Sequence, residues 1–196
     1  TTVANTLLAV FDLLLFQLTK QADFCIGVSH ANRNHPDLEN LLGFFVNLLP
    51  VRVRLDDEMD FTALLDQVVA NSDAAFEHQD FPFDLMVQRL NPDRASNRQP
   101  LLNVVYAFQN FGDIHVDVGE SNSLSADQNA NVSITPFDHT FHTSKFDLTL
   151  FVSDDGGPLD LTLEYDTGLF KPASIRRYLT LLDKFSRMIE VSPASA

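Results

Sequence analysis

The chain has 196 residues, of which 45% are apolar, and it carries a formal net charge of −14 at pH 7. Length and apolar content together predict one globular domain of ordinary size and exclude global disorder. The acidic excess makes nucleic acid and anionic membrane surfaces unfavourable partners.

The first third of the chain alternates between helical and extended patterns. Apolar residues at helical spacing predict a helix over 3–19, and a short apolar run predicts a buried strand over 24–29. Residues 30–41 are polar with turn chemistry, and the apolar run 44–49 predicts a second buried segment. Over 51–55, valine and leucine alternate with arginine, which is typical of a strand with one solvent-exposed face.

The middle of the chain predicts two helices followed by a strand. Asp60 is placed to cap a helix whose apolar residues extend from 61 to 76. Pro82 breaks this helix, and the pattern over 83–90 predicts a short second one. Residues 101–108 have a strand-like pattern.

The last part of the chain predicts a long loop, a β-hairpin and a helix. Residues 111–133 are rich in polar residues and predict an unusually long loop. Alternating patterns around an Asp-Asp-Gly-Gly-Pro turn predict a hairpin over 146–165, and Pro172 opens a final helix. This order predicts the α/β or α+β class, with one mixed β-sheet packed with helices. Residues 1–191 then form the domain, and 192–196 begin a linker.

Cysteine content and hydropathy indicate the cellular environment. The single cysteine, Cys25, excludes a disulfide framework within the chain, and its apolar neighbours predict a buried, unreactive thiol. The apolar run 7–18 is interrupted by Asp12 and Gln17 and is shorter than the roughly 20 residues that span a bilayer. No basic region opens the chain as in a signal peptide, so we expect a cytoplasmic protein with no membrane partner.

The sequence contains no complete motif for a metal or nucleotide site, and its composition leaves a Ser/His/Asp triad open. His139 and His142 are three residues apart before a predicted strand, where that spacing places them on opposite faces. No cysteine or glutamate cluster completes a zinc site, and His30 and His35 only flank a turn. Neither a glycine-rich phosphate loop nor a G-x-S-x-G elbow occurs. The sequence therefore predicts no metal site and gives no support for a nucleotide site.

Three polar features are candidates for a functional or structural role. Asn47 is the one polar residue in an apolar run, and a ligand tunnel or a neighbouring loop would satisfy its amide equally well. Ser144 either forms a polar pair with Lys145 or simply opens the following strand. The segment 78–83 predicts a structured corner, which is fixed by its proline and anchored in the core by two phenylalanines.

Several segments, taken in order, resemble motifs of the condensation domains of nonribosomal peptide synthetases. The matching segments are 26–33 (IGVSHANR), 42–52 (LGFFVNLLPVR), 78–84 (HQDFPFD), 93–101 (DRASNRQPL), 108–110 (FQN), 145–148 (KFDL) and 163–166 (LEYD). All belong to the second half of that family, and the HHxxxDG motif of its first half is absent. The chain therefore resembles the C-terminal lobe of such a domain, with a chloramphenicol-acetyltransferase-like fold.

The resemblance implies a reaction and a set of partners. The reaction is amide-bond formation between a donor acyl thioester and an acceptor amine, both carried on phosphopantetheine arms. The implied partners are the N-terminal lobe of the same condensation domain, the donor and acceptor peptidyl carrier proteins, and the neighbouring adenylation domain. Because the arms belong to the carrier proteins, no cofactor is expected to bind this chain directly.

The resemblance assigns no catalytic residue to this chain. It places Asn47 near the tunnel between the lobes, where we also expect Ser144, and it implies that Arg33 pairs with the aspartate of HHxxxDG across the lobes. The structural motif residues that it implies are Arg33, His78, Gln79, Asp80, Pro82, Phe83 and Arg98. We expect the chain to be inactive alone; the alternative is a non-catalytic lobe that docks carrier proteins or acts as a scaffold.

Overall fold

The computed structural model describes residues 1–90, 100–109, 143–154 and 156–191. Its elements in chain order are α1 (Val3–Thr19), β1 (Asp23–His30), α2 (Pro36–Glu39), β2 (Asn47–Arg54), α3 (Phe61–Glu77), α4 (Phe83–Leu90), β3 (Val104–Gln109), β4 (Leu148–Ser153), β5 (Asp160–Tyr165) and α5 (Pro172–Val191). The predicted loop at 111–133 lies outside the described residues, as does Arg98 with most of its motif.

The described strands form one mixed sheet in the order β2-β1-β3-β4-β5. The outer pairs, β1 with β2 and β4 with β5, are antiparallel, whereas β3 runs parallel to both β1 and β4. Parallel neighbours need long crossover connections, and the connection from β1 to its parallel neighbour β3 contains β2 and the helices α3 and α4. The predicted mixed sheet packed with helices is confirmed.

Helix α1 is the central helix of the core and packs against both α3 and α5. The Thr2 side chain caps its start by accepting a hydrogen bond from the Asn5 amide at 3.2 Å. It ends at Lys20, whose φ of 56° is left-handed and whose amide donates to the Phe16 carbonyl at 2.7 Å. Between these caps, α1 buries apolar side chains on most of its circumference, which is typical of a core helix.

Strand β2 shows how the sequence pattern sets the two faces of the sheet. Val51 and Val53 are buried against α3, and Arg52 and Arg54 are exposed, as the alternation predicts. The Arg52 guanidinium donates two hydrogen bonds to the Asp23 carboxylate, at 2.7 and 2.6 Å, which lowers the pKa of Asp23. The core therefore lies on the helix-covered face, and the edge of the sheet carries charge.

Helix α1 also buries a carboxyl group in this core. Asp12 is 0% exposed, and neither of its side-chain oxygens has a hydrogen-bond partner among the described residues. Burial raises the pKa of Asp12 well above its usual range. The nearby Tyr106 hydroxyl donates to the Ala4 carbonyl at 2.9 Å, and the pKa of Tyr106 is raised by burial and, secondarily, by Asp12. Asp12 is thus a buried carboxyl group without a hydrogen-bond partner in the described structure, and we expect it to destabilise the fold.

Two sequence predictions about burial are wrong. Cys25 is exposed, because alternation along β1 turns it outward while Ile26 and Val28 face the helices. Partial desolvation raises the pKa of the Cys25 thiol, which lowers its thiolate fraction, and the expectation of an unreactive thiol stays a prediction. Phe81 and Phe83 are half-buried rather than anchored in the core, because the segment 78–83 lies at the surface of the described structure.

The C-terminal part follows the predicted pattern. Strands β4 and β5 form the predicted antiparallel hairpin, with Leu150 opposite Leu163. Pro172 is the first residue of α5, whose Ile175 and Leu182 are buried in the shared core. Within the described ranges, no helix is long and apolar enough to cross a membrane.

Candidate functional site

The candidate site lies at one end of the sheet, where β1 ends and β2 begins. His30 and Asn47 are paired across these two strands. The end of α3 and the following residues, His78–Pro82, lie over the start of β2. We call His78–Pro82 the corner, and it contains most of the motif that the sequence singled out.

Asn47 joins the start of β2 to the corner through both ends of its amide. Its Nδ2 donates to the carbonyls of Gln79 at 2.8 Å and Phe81 at 3.1 Å. Its Oδ1 accepts from the amides of Leu48 at 3.0 Å and Phe83 at 3.4 Å. Of the two partners that the sequence allowed for this amide, the structure contains the neighbouring loop, and its place in a tunnel wall stays a prediction.

The corner is also fixed by its own backbone. The amides of His78 and Gln79 donate back to carbonyls of the last turn of α3, each at 3.2 Å. The Pro82 carbonyl accepts from the amides of Leu85 and Met86 at 3.1 Å, which starts α4. The Asp80 carboxylate accepts from Asn34 Nδ2 at 3.0 Å, so the corner is tied to the loop after β1. These bonds give the corner a defined shape.

The Arg33 side chain holds the loop between β1 and β2 by hydrogen bonds to backbone carbonyls of that loop. Its Nη1 donates to the carbonyls of Leu38 and Leu41, the latter at 3.0 Å, and its Nη2 lies 3.5 Å from the Gly43 carbonyl. The guanidinium also lies 4.5 Å from the centre of the Phe45 ring. No carboxylate pairs with Arg33 among the residues that the structure describes, so its implied ion pair across the lobes stays a prediction.

The segment that Arg33 holds exposes large apolar side chains. Leu42 is 103% exposed and Phe44 is 87% exposed, and Leu41 and Val46 are each about half exposed. The prediction of a buried run over 44–49 is therefore wrong for 44–46, and β2 begins only at Asn47. The reason is that the carbonyls before Phe44 bond to a side chain rather than to a neighbouring strand. We call Leu41–Val46 the apolar segment.

Replacing Arg33 by lysine is expected to loosen the apolar segment. Lysine keeps the charge but loses the planar fork that reaches several carbonyls at once. We expect limited proteolysis to cut within 38–46 several-fold faster in Arg33→Lys, with an unchanged melting temperature of the core. Arg54→Lys, at an exposed strand position, is the matched control. Equal cleavage rates in the native chain and Arg33→Lys would show that the fork does not hold this loop.

Ser144 lies far from Asn47. Its Oγ donates to the Phe146 carbonyl just before β4, and it lies 3.5 Å from a Glu164 carboxylate oxygen on β5. Because β4 runs parallel to β1, Ser144 is near the end of the sheet opposite to Asn47. The sheet order also separates β4 from β2 by two strands. The structure therefore does not bring the two predicted tunnel residues together.

Two of the three histidines among the described residues, His30 and His35, have structural contacts. His30 packs edge-on against Phe76, with ring centres 5.1 Å apart. His35 caps α2 by accepting from the Asp37 amide at 3.3 Å. Over the described ranges, no group of three His, Cys, Asp or Glu residues is arranged to hold a metal ion. His139 and His142 lie outside those ranges.

Sequence reasoning identified Asn47, Arg33 and the corner but missed how they are connected. The bonds from Asn47 to the corner span more than thirty residues along the chain. Sequence spacing alone carries no signal for such contacts. The exposure of the apolar segment was missed for a related reason, since a run of apolar residues indicates burial without saying which surface provides it.

Comparison with known proteins gives a consistent result for nearly the whole chain. Residues 1–194 match a family model described as Condensation domain. The chain is 38% identical over 176 residues to chondramide synthase cmdD of Chondromyces crocatus, covering 90% of this chain and 4% of that protein.

Two solved structures show the same fold. The condensation domain of the monacolin K polyketide synthase MokA superposes with a TM-score of 0.82 at 24% identity, covering 99% of this chain and 42% of that one. The four-domain nonribosomal peptide synthetase AB3403 superposes with a TM-score of 0.84 at 22% identity, covering 98% of this chain and 15% of that one. The chain thus spans less than half of the solved condensation domain and a small part of the synthetases. With a family model matched over residues 1–194, this chain belongs to the condensation domain family.

Proposed function

We propose that this chain is the C-terminal lobe of a peptide-bond-forming condensation domain. The complete domain would join a donor acyl thioester to an acceptor amine, each on the phosphopantetheine arm of a carrier protein. Two facts support the proposal. The chain covers 42% of a solved condensation domain, and its sequence holds no HHxxxDG motif. The lobe would then form part of the tunnel wall while the other lobe supplies the catalytic histidine.

The observation that carries this proposal is the apolar segment. Fully burying a leucine or phenylalanine side chain is worth about 1.5–3 kcal/mol, so leaving Leu42 and Phe44 in water is unfavourable. Arg33 holds the backbone of this segment in one shape, so little conformational entropy is lost when a partner covers it. A shaped apolar surface of this kind is typical of a permanent interface. We assign its cover to the N-terminal lobe of the same domain.

In this proposal the described residues shape and orient rather than react. Asn47 and the corner fix the wall near the start of β2, and Arg33 fixes the interface segment beside it. Positioning two carrier-bound substrates is itself a large part of the rate gain in such a transfer. Further proposed partners are the donor and acceptor carrier proteins and a neighbouring adenylation domain.

The test is reconstitution from two polypeptides. This chain is mixed with the HHxxxDG-bearing lobe of its parent domain and with carrier proteins loaded with donor and acceptor. We expect amide product only when both lobes are present. Leu42→Ser combined with Phe44→Ser is expected to lower the yield about tenfold or more at limiting lobe concentration, because two apolar anchors are lost.

The matched control is Leu169→Ser combined with Met188→Ser, which changes two apolar residues that are about half exposed and lie outside the apolar segment. Product formed by this chain alone, or an equal loss in the control pair, would contradict the proposal. Stable binding of the two lobes without product, although the carriers are loaded, would favour the alternative of a non-catalytic docking or scaffold lobe.

A further inference from the structure

A groove of about 600 Å³ opens beside the corner, outside the apolar segment. Its volume is within the range of roughly 300–1,000 Å³ that is typical of ligand sites. The start of β2, the end of α3, the corner and α4 each supply part of its wall. The apolar residues that line it include Leu49, Pro50, Ala75, Phe81, Pro82 and Met86.

The rim of this groove is acidic. Glu77 and Asp80 line it and are exposed, and neither has an ion pair within the part of the chain that the structure describes. Asp80 is oriented by its hydrogen bond from Asn34. His78 also lines the groove, and the Arg89 guanidinium lies 5.5 Å from the centre of the Phe81 ring, so the aromatic face of the wall is already occupied by the chain's own cation. The groove thus combines an apolar floor with carboxylates that lack a cationic partner.

We propose that this groove binds a protein segment that presents large apolar side chains flanked by lysine or arginine. The apolar wall would bury the hydrophobic side chains, and Glu77 and Asp80 would attract the flanking cations. The net charge of −14 favours approach of a basic partner over an acidic one. The bonds of Asn47 and the backbone of the corner hold the wall in shape before binding, which limits the entropy cost. This binding does not depend on the proposed condensation reaction.

The experiment uses the full chain and two short fluorescein-labelled peptides. One peptide is an amphipathic helix of leucine and lysine, and the other replaces every lysine by glutamate. Fluorescence anisotropy measures binding to the native chain, to Glu77→Gln combined with Asp80→Asn, and to Met86→Glu. The amide at position 80 keeps an acceptor for Asn34, so the rim pair removes charge without removing that bond. The control pair, Asp57→Asn with Glu58→Gln, makes the same charge change in the loop before α3.

We expect the lysine peptide to bind and the glutamate peptide not to bind. The rim pair should weaken binding about fivefold, as two exposed ion pairs of modest strength predict. Met86→Glu should weaken it further, and the control pair should leave it unchanged. Equal binding of the two peptides, or an equal loss in the control pair, would overturn the proposal. Thermal melting of each variant checks its folding, and the rim pair still decides the matter if Met86→Glu does not fold.

Discussion

Replacing Asp12 by alanine is expected to raise the free energy of unfolding by about 1–3 kcal/mol. The native carboxyl group is fully buried, and both of its oxygens lack a hydrogen-bond partner in the described structure. Burying a polar group without such bonds costs about that much, and alanine removes the group at the expense of a small cavity. Alanine also has the higher helix propensity in the middle of α1. Chemical denaturation of the two chains at neutral pH measures the difference.

The same carboxyl group should make stability depend on pH in a particular direction. Because burial raises the pKa of Asp12 in the folded state, the folded chain binds a proton that the unfolded chain has already released. The contribution of Asp12 protonation to the free energy of unfolding is therefore fully present below the ordinary aspartate pKa of about 3.9. This contribution is lost as the pH rises from that value towards the raised pKa of Asp12 in the folded chain.

The isosteric variant Asp12→Asn separates charge from polarity. It should lack this part of the pH dependence while keeping a buried polar group. The difference in unfolding free energy between the native chain and Asp12→Asn should therefore change in favour of the variant as the pH rises from acid to neutral. A constant difference across that range, together with no gain in Asp12→Ala, would mean that Asp12 has a partner or is solvated.

Replacing Asn47 by alanine is expected to lower the free energy of unfolding by about 2–3 kcal/mol. The change leaves two carbonyls of the corner and two backbone amides without their side-chain partner. Each lost bond is worth about 1 kcal/mol, and the site is only half-buried, so water replaces part of the loss. Urea denaturation measures the effect, and hydrogen exchange should place the loss at the corner.

Asn47→Asp is the informative companion to this variant. A carboxylate retains the oxygen that accepts from the Leu48 and Phe83 amides but places a second oxygen against the Gln79 and Phe81 carbonyls. We therefore expect Asn47→Asp to be no more stable than Asn47→Ala at neutral pH. If both variants have native stability, the amide is not structural, and the predicted place of Asn47 in the tunnel wall becomes its main role.

These expectations affect how activity of Asn47 variants is interpreted in the complete domain. A lower rate in Asn47→Ala reports on the tunnel only after correction for the folded fraction. A change in KM for one carrier-bound substrate at constant kcat would indicate contact with that substrate. A loss of activity that matches the loss of folded protein would indicate that Asn47 acts only by holding the corner.

The regular elements of this chain were predictable because local patterns and tertiary packing agree. The alternation around Arg52 predicted both faces of β2, and Asp60 caps α3 by accepting from the Ala63 amide at 2.8 Å. Sequence patterns failed to predict burial where the contacts of a residue come from positions distant in sequence. Phe44 belongs to an apolar run, yet nothing in the described structure covers it, and its backbone is held by Arg33 through contacts that follow no period.

The candidate site was predictable in part. The sequence indicated that Asn47 needs partners but left open whether a loop or a tunnel supplies them, because hydrogen-bond partners distant in sequence have no signature in a single chain. The family resemblance implied a structural role for Arg33 and for the corner. It did not indicate that Ser144 would lie towards the opposite end of the sheet, which follows from the parallel direction of β1 and β4.

The most direct test of the central claim is hydrogen–deuterium exchange of the apolar segment with and without the HHxxxDG-bearing lobe. The claim is that Leu41–Val46 forms the interface between the two lobes of a condensation domain. We predict that adding the second lobe slows exchange in this segment by at least tenfold, while exchange in the β4–β5 hairpin stays the same. Unchanged exchange in Leu41–Val46 when the lobes are demonstrably bound would contradict the claim and would place the interface elsewhere.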